Sequence, residues 1–228
     1  ARADFAVERA SRRLEEYAQV SKENRLDEVT SNALAEALQT HVATANKEIQ
    51  ALAQEGNETG AFDATSDLYS ILEAHAEVLD RLDDAHPGTV PEDGELAQTL
   101  ADALESTESL STSFETSITS SLDTPKIEAA LKNQQEEIGV LVRVLEAYAT
   151  STPVSFDSAD ALTLAKALTE VRSLMEEATR AQDENRLTDA LSLYADANAK
   201  VNQLDIILKA DSQLGVDIIN ATSSSDTE

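Results

Sequence analysis

The side chains able to carry acid–base or metal chemistry are few in kind: three histidines, no cysteine, and 44 aspartates and glutamates. His41 and His75 are the pair whose spacing suggests a site. They lie equally far, on either side, from position 58 in the polar segment Glu55-Gly56-Asn57-Glu58-Thr59-Gly60, which reads as a turn. Folding the chain back at that turn sets both histidines at one height. His41 falls in helical register between Leu38 and Ala45, and His75 between Leu72 and Leu79, so both point inward and their rings are expected to approach one another. Two neutral imidazoles meeting there share a hydrogen bond or fill a polar gap, each offering one donor and one acceptor. The sharper reading is a metal or proton-sensing site at His41 and His75. It needs a third ligand from another helix, and neither inward stripe carries a carboxylate to supply it.

Other reactive arrangements fail on residue type or spacing. Without cysteine there is no thiolate nucleophile, and the chain has no Gly-x-Ser-x-Gly elbow, no P-loop and no Gly-x-Gly-x-x-Gly turn. Glu36 precedes His41 by five positions and Glu73 precedes His75 by two, whereas the Glu-x-x-His element of di-iron bundles needs a spacing of three. Adjacent acids such as Glu15-Glu16 and Glu136-Glu137 belong to solvated helix faces, and no Asp-x-Asp-x-Asp-Gly loop is present to wrap calcium. The expectation is no catalytic residue, no cofactor, and only loose association of cations with the acidic surface. Asn57-Glu58-Thr59 and Asn220-Ala221-Thr222 match the glycosylation triplet, a pattern short enough to arise by chance. In the densest charged run, Arg12-Arg13-Leu14-Glu15-Glu16, Arg12 is expected to pair with Glu16 on a helix surface.

Helices must position these residues. All four prolines fall at boundaries between periodic segments, and of six glycines only Gly139 falls inside one. Apolar residues recur at spacings of three and four over residues 3–23 (Val7, Ala10, Leu14, Tyr17), 28–54 (Leu38, Val42, Ala45, Ile49) and 63–85 (Leu68, Leu72, Leu79, Leu82). The same period runs through a Ser/Thr-rich stretch at 95–122, then 125–150 after the cap-and-proline pair Thr124-Pro125, then 158–185 and 188–213. Leu38, Ile49, Leu72, Leu141, Val171 and Leu204, each central in its stripe, are predicted core positions. No period-two run occurs, so the predicted fold class is all-α: elongated antiparallel hairpins forming a bundle of about seven helices, with no sheet. The breaks divide it into a three-helix module (1–85), a central hairpin (95–150), a C-terminal hairpin (157–214), packed separately or as one continuous bundle, and a tail (215–228). One internal match stands out: Glu15-Glu16 through Glu23-Asn24-Arg25-Leu26 aligns without a gap to Glu176-Glu177 through Glu184-Asn185-Arg186-Leu187. A single match without neighbours at a short fixed period reads as two similar hairpin joints rather than a repeat array.

A formal charge of −27 repels a phosphate backbone, so nucleic acid and anionic lipid are poor partners, and no apolar run is long enough for membrane insertion. Partners that remain are another protein, or a second copy, meeting helix faces. The chain opens with Ala1-Arg2-Ala3-Asp4-Phe5 already in helical rhythm, from which we expect a longer precursor carrying a targeting segment. The lack of cysteine fits a compartment where thiols are a liability, such as a bacterial cell surface.

Glu8-Arg9-Ala10 followed by Arg12-Arg13-Leu14-Glu15-Glu16, the Arg25-Leu26-Asp27 joint, His41, and Leu72-Glu73-Ala74-His75 with Val78-Leu79 carry a resemblance. Over residues 6–82 the chain resembles a family of helical domains of unknown function found in exported or membrane-anchored proteins of candidate-phylum bacteria. That resemblance implies an extracytoplasmic or cell-surface location in a membrane-anchored or secreted precursor, and implies no activity. The expected function is a non-enzymatic scaffold or protein-interaction module of a bacterial cell envelope; the alternative is a metal- or small-ligand-binding sensor using His41 and His75. The charge yields a direct test. Salt raised from low to moderate ionic strength should raise the melting temperature by screening self-repulsion, and a temperature that stays flat or falls would overturn that account.

Overall fold

Apolar stripes and polar breaks resolve into seven helices in the structure, a computed structural model that describes residues 2–23, 28–85, 95–120, 124–151 and 158–214. They are α1 (Arg2–Lys22), α2 (Glu28–Gln54), α3 (Glu58–Ala85), α4 (Glu95–Ser120), α5 (Thr124–Ser151), α6 (Ser158–Asp183) and α7 (Leu187–Leu214). Among the described residues there is no strand, and the fold is an all-α bundle. The tail over 215–228, residues 24–27 of the first joint, His86 and Leu122 lie outside the described residues.

Two turns share one backbone solution. Gly56 closes α2 at φ 87°, with its N–H on the Ala53 carbonyl and the Asn57 N–H on that of Leu52. Asn185 closes α6 at φ 59°, with its N–H on Gln182 and the Arg186 N–H on Ala181. Both are Schellman endings, in which a left-handed residue turns two late carbonyls into acceptors; glycine takes that conformation freely and asparagine better than most. Asn57 then caps α3: its side-chain oxygen accepts from the Gly60 N–H at 3.1 Å. The helix therefore starts at Glu58 rather than at the expected 63. Gly60 belongs to its first turn, where an added Cβ would sit 2.6 Å from the Asn57 side chain.

α3 is the hub, packing against α1, α2, α4, α5 and α7. α7 in turn packs against α6, α3, α5 and α1. Matched contacts Asp67–Asn198 and Ser70–Asn202 advance together along both helices, so α3 and α7 run parallel. Fully buried alanines, among them Ala10, Ala45, Ala74, Ala178 and Ala197, let the axes approach closely. Two buried tyrosines close the terminal hairpins by hydroxyl bonds, Tyr17 with Ser31 across α1–α2 and Tyr194 with Thr179 (3.0 Å) across α6–α7. The segments 1–85, 95–150 and 157–214 contribute to one buried cluster.

Four of the six predicted core positions, Leu38, Ile49, Leu72 and Val171, are fully buried. Leu141 and Leu204 are only half-buried. On α5 the inward line runs Leu131, Gln134, Ile138, Val142 and Leu145, which turns Leu141 to the flank. On α7, Val201, Ile207 and Leu208 take the inner positions. The charged run also differs: Arg12 pairs with Glu8 at 2.5 Å, and Arg13 takes Glu16. Glutamate four residues before its cation is the better-oriented pair on a helix, which favours Glu8 over Glu16 for Arg12. Burial sets a graded expectation for truncation. Leu72→Ala should cost about 2–5 kcal/mol in chemical denaturation and Leu204→Ala roughly 1–2 kcal/mol, and equal losses would contradict the packing described.

Candidate functional site

His75, on the α1-facing side of α3, is 3% exposed, and its Nε2 shares a 3.0 Å hydrogen bond with the Ser11 hydroxyl of α1. The pair borders a cleft of about 170 Å³ between α1, α3 and α7, which Ile71, Val78, Ile206 and Lys209 also line. A serine bonded to a histidine has the form of a nucleophile with its base, but the surroundings oppose that chemistry. Burial pushes His75 down to about 4, making it a weak proton acceptor at neutral pH. Ser11 also sits mid-helix, where backbone N–H groups are committed to the carbonyls one turn back and do not form an oxyanion hole.

His41 is half-buried on α2. Burial lowers its pKa first, Arg13 and Arg9 of α1 lower it further, and Glu16 opposes them. The charges that His41 senses are therefore those of α1, while His75 makes its hydrogen bond to Ser11 of the same helix. Among the described residues, no group of three His, Cys, Asp or Glu side chains is gathered so as to hold a metal ion.

A polar seam joins α3 to α7. Asn198, 4% exposed, donates to the Asp67 carboxylate at 2.8 Å, and Asn202 donates to the Ser70 hydroxyl at 3.0 Å. Ser70 passes its own proton to the Asp67 carbonyl at 2.9 Å, and Gln203 donates to Glu77 further along.

Beside the seam, and sharing Ser11, Ile71 and Asn202 with the first cleft, lies a larger cavity of about 660 Å³. Its carboxylates are Asp63 and Asp67 of α3, Glu137 of α5 and Glu8 of α1. Burial, then the charges of Asp67 and Glu137, push Asp63 up to about 7. The neighbouring Gln134 carboxamide offsets part of that rise without closing a full hydrogen bond. Asp63 Oδ1 and both amide atoms of Gln134 are buried and unpartnered. Sequence reasoning missed Ser11, Asp63, Asp67, Gln134, Asn198 and Asn202. For three of them a signal was present: Gln134 occupies the apolar phase between Leu131 and Ile138, and Asn198 and Asn202 each follow a buried position, Ala197 and Val201.

His75 and Asp63 give opposite pH dependences. Between pH 6.5 and about 4 the unfolded chain takes a proton at histidine that the folded His75 refuses, so acidification costs stability, up to roughly 3 kcal/mol over that window. Folded Asp63 holds a proton up to about 7 that its unfolded form has lost above 3.8, so acidification over that range adds stability. Glu73, Glu115 and Asp196, raised chiefly by burial, act in the same sense as Asp63. His75→Gln should therefore steepen the gain in denaturation stability from pH 7 to 4.5, and Asp63→Asn should reduce it. Superimposable profiles for the two variants would exclude this assignment.

Comparison with protein-family models, with curated proteins and with solved structures finds no match to this chain, so its function is read from its own residues.

Proposed function

We propose that the chain is a non-enzymatic helical scaffold that works by presenting an outer helix face to a protein partner, in the first instance a second copy of itself. The observation that supports this reading is the outer surface of α5. Among the described residues four large hydrophobic side chains are exposed: Phe5, Val29, Val140 and Val144. Phe5 is covered by the Arg9 guanidinium at 4.5 Å from its ring centre, a cation–π contact. Val29 stands at the first turn of α2, beside residues 24–27. Val140 and Val144 remain, one helical turn apart on one face of α5 and each about half exposed. The polar groups best suited to chemistry point the other way, into contacts between α1, α3 and α7. The extracytoplasmic envelope location implied by the resemblance over residues 6–82 is part of the same proposal, and an exported scaffold needs no cofactor.

Sedimentation across a concentration series tests the α5 face. Wild-type protein should associate as concentration rises, and the Val140→Glu, Val144→Glu double variant should stay monomeric with an unchanged circular dichroism spectrum. Both positions are solvent-facing, so the substitutions leave the core intact. Indistinguishable sedimentation of the two proteins would reject this face as the interface. The metal-sensor alternative at His41 and His75 requires stabilisation by zinc that His75→Gln removes.

A further inference from the structure

We propose that two copies of the chain pair through α5 in antiparallel fashion, about a twofold axis near Gly139 and Val140, with Arg143 of each copy against Glu136 of the other. Resting on α5 as the interface, this pairing adds the orientation of the partner.

The face is defined by what α5 buries. Leu131, Ile138, Val142 and Leu145 turn to the core. At about 100° per residue the line opposite them runs through Ala129, Glu136, Val140, Arg143 and Ala147, with Val144 on its flank. All six are exposed. Glu136, Val140, Arg143 and Ala147 follow one another at spacings of four, three and four, the alternation that keeps one seam of a helix turned to a second helix.

Gly139 is an independent mark on the same helix. Glycine in a helix interior is destabilising relative to alanine, because it gives up more backbone freedom on folding. Among the described residues an added Cβ at Gly139 meets nothing within 4 Å, so no neighbour inside the chain requires the small residue. A second helix crossing at that point makes use of it, since the missing side chain lets two backbones approach.

Charge then fixes the orientation. Glu136 lies four residues before Val140 and Arg143 three after it. A parallel pair sets glutamate on glutamate and arginine on arginine. An antiparallel pair centred near Val140 sets each arginine beside the other copy's glutamate, twice by symmetry. Within its own helix Arg143 has Gly139 and Ala147 at a spacing of four, neither able to pair with it, and Glu146 is held by Arg172 of α6. Glu136 meets Lys132 at 3.7 Å in an exposed pair of the kind that contributes little. α5 carries three lysines and arginines against four glutamates, one of the chain's 27 net negative charges, so two copies meeting there bring little of the acidic excess together.

Cysteine cross-linking of the full chain tests the orientation, at about 0.15 M salt, where charges more than about 8 Å apart are largely screened. The chain has no cysteine of its own, so introduced thiols report alone. About the proposed axis, residue 133 of one copy stands beside residue 147 of the other, whereas the two copies of residue 133 are about 20 Å apart at about 1.5 Å per residue, beyond the reach of a disulfide. Asn133→Cys mixed with Ala147→Cys should therefore cross-link on mild oxidation, and neither should cross-link alone. In sedimentation, Arg143→Glu and Glu136→Arg should each weaken self-association by about tenfold, and the two combined in one chain should restore it. Gly139→Ala should weaken association severalfold with an unchanged circular dichroism spectrum. Cross-linking of Asn133→Cys with itself, or none in the mixture, would overturn the antiparallel pairing and leave α5 as the interface, provided the Val140→Glu, Val144→Glu double variant stays monomeric. Failure of the combined swap to restore association would overturn the Arg143–Glu136 contact, and unchanged association of Gly139→Ala the crossing at that residue. Wild-type protein that is monomeric at every concentration would remove the α5 interface and this pairing together.

Discussion

The fold depends on how α7 is held against α3. α3 touches five other helices, and α7 is the element through which α6 and much of α5 reach it. The register of that pair is fixed by polar contacts inside the bundle, Asn198 on Asp67 and Asn202 on Ser70. Apolar surfaces alone tolerate a slide of one helical turn at modest cost. A seam of amides and acceptors does not, because a one-turn shift separates every pair and leaves buried groups unmet at about 1–3 kcal/mol each. The Ser11–His75 bond and the Lys22 ammonium on the Leu214 carbonyl, which caps the C-terminal end of α7, tie α1 to the same axis.

Charge acts on this frame in two different ways. On the surface the excess of acids is solvated and screened, and the paired cations, such as Arg172 with Glu146 and Lys200 with Glu170, contribute little apiece. In the interior the same residue type is expensive, which is why Asp63 rises to about 7 while His75 falls to about 4. Each shift keeps its group neutral where water is scarce. Their pH dependences oppose each other between about 4 and 6.5, so over that acidic window the two together change stability less than either group alone.

The fold was legible in the sequence because the breakers and the stripes agree. Gly56, the prolines and the period of three and four placed six of the seven helix starts within a residue or so, and the exception is instructive. α3 begins at Glu58 because Asn57 caps it, and Gly60, read as a turn residue, is the small first-turn position that leaves room for the cap. The site was less legible. Equal distance from the turn fixes the height of His41 and His75 and says nothing of rotation about each helix axis, and the hydrogen bond that His75 makes to Ser11 of α1 could not be read from its spacing. Leu141 and Leu204 show the same limit: a stripe wide enough to be apolar on both flanks does not say which flank faces the centre.

Asp63 and Gln134 bear on what the interior is for. A carboxyl and a carboxamide with unmet atoms, buried side by side, lower stability relative to apolar residues of similar volume. The surrounding core offers such residues freely, for Leu131 and Ile138 flank Gln134 in the same stripe and are fully buried. Nor do they set the register of α3 on α7, which Asp67 and Ser70 already fix through α7 donors. The pair is a local cost of the interior, eased in part by the Gln134 carboxamide, which holds the Asp63 pKa below what burial and the two neighbouring carboxylates alone would give.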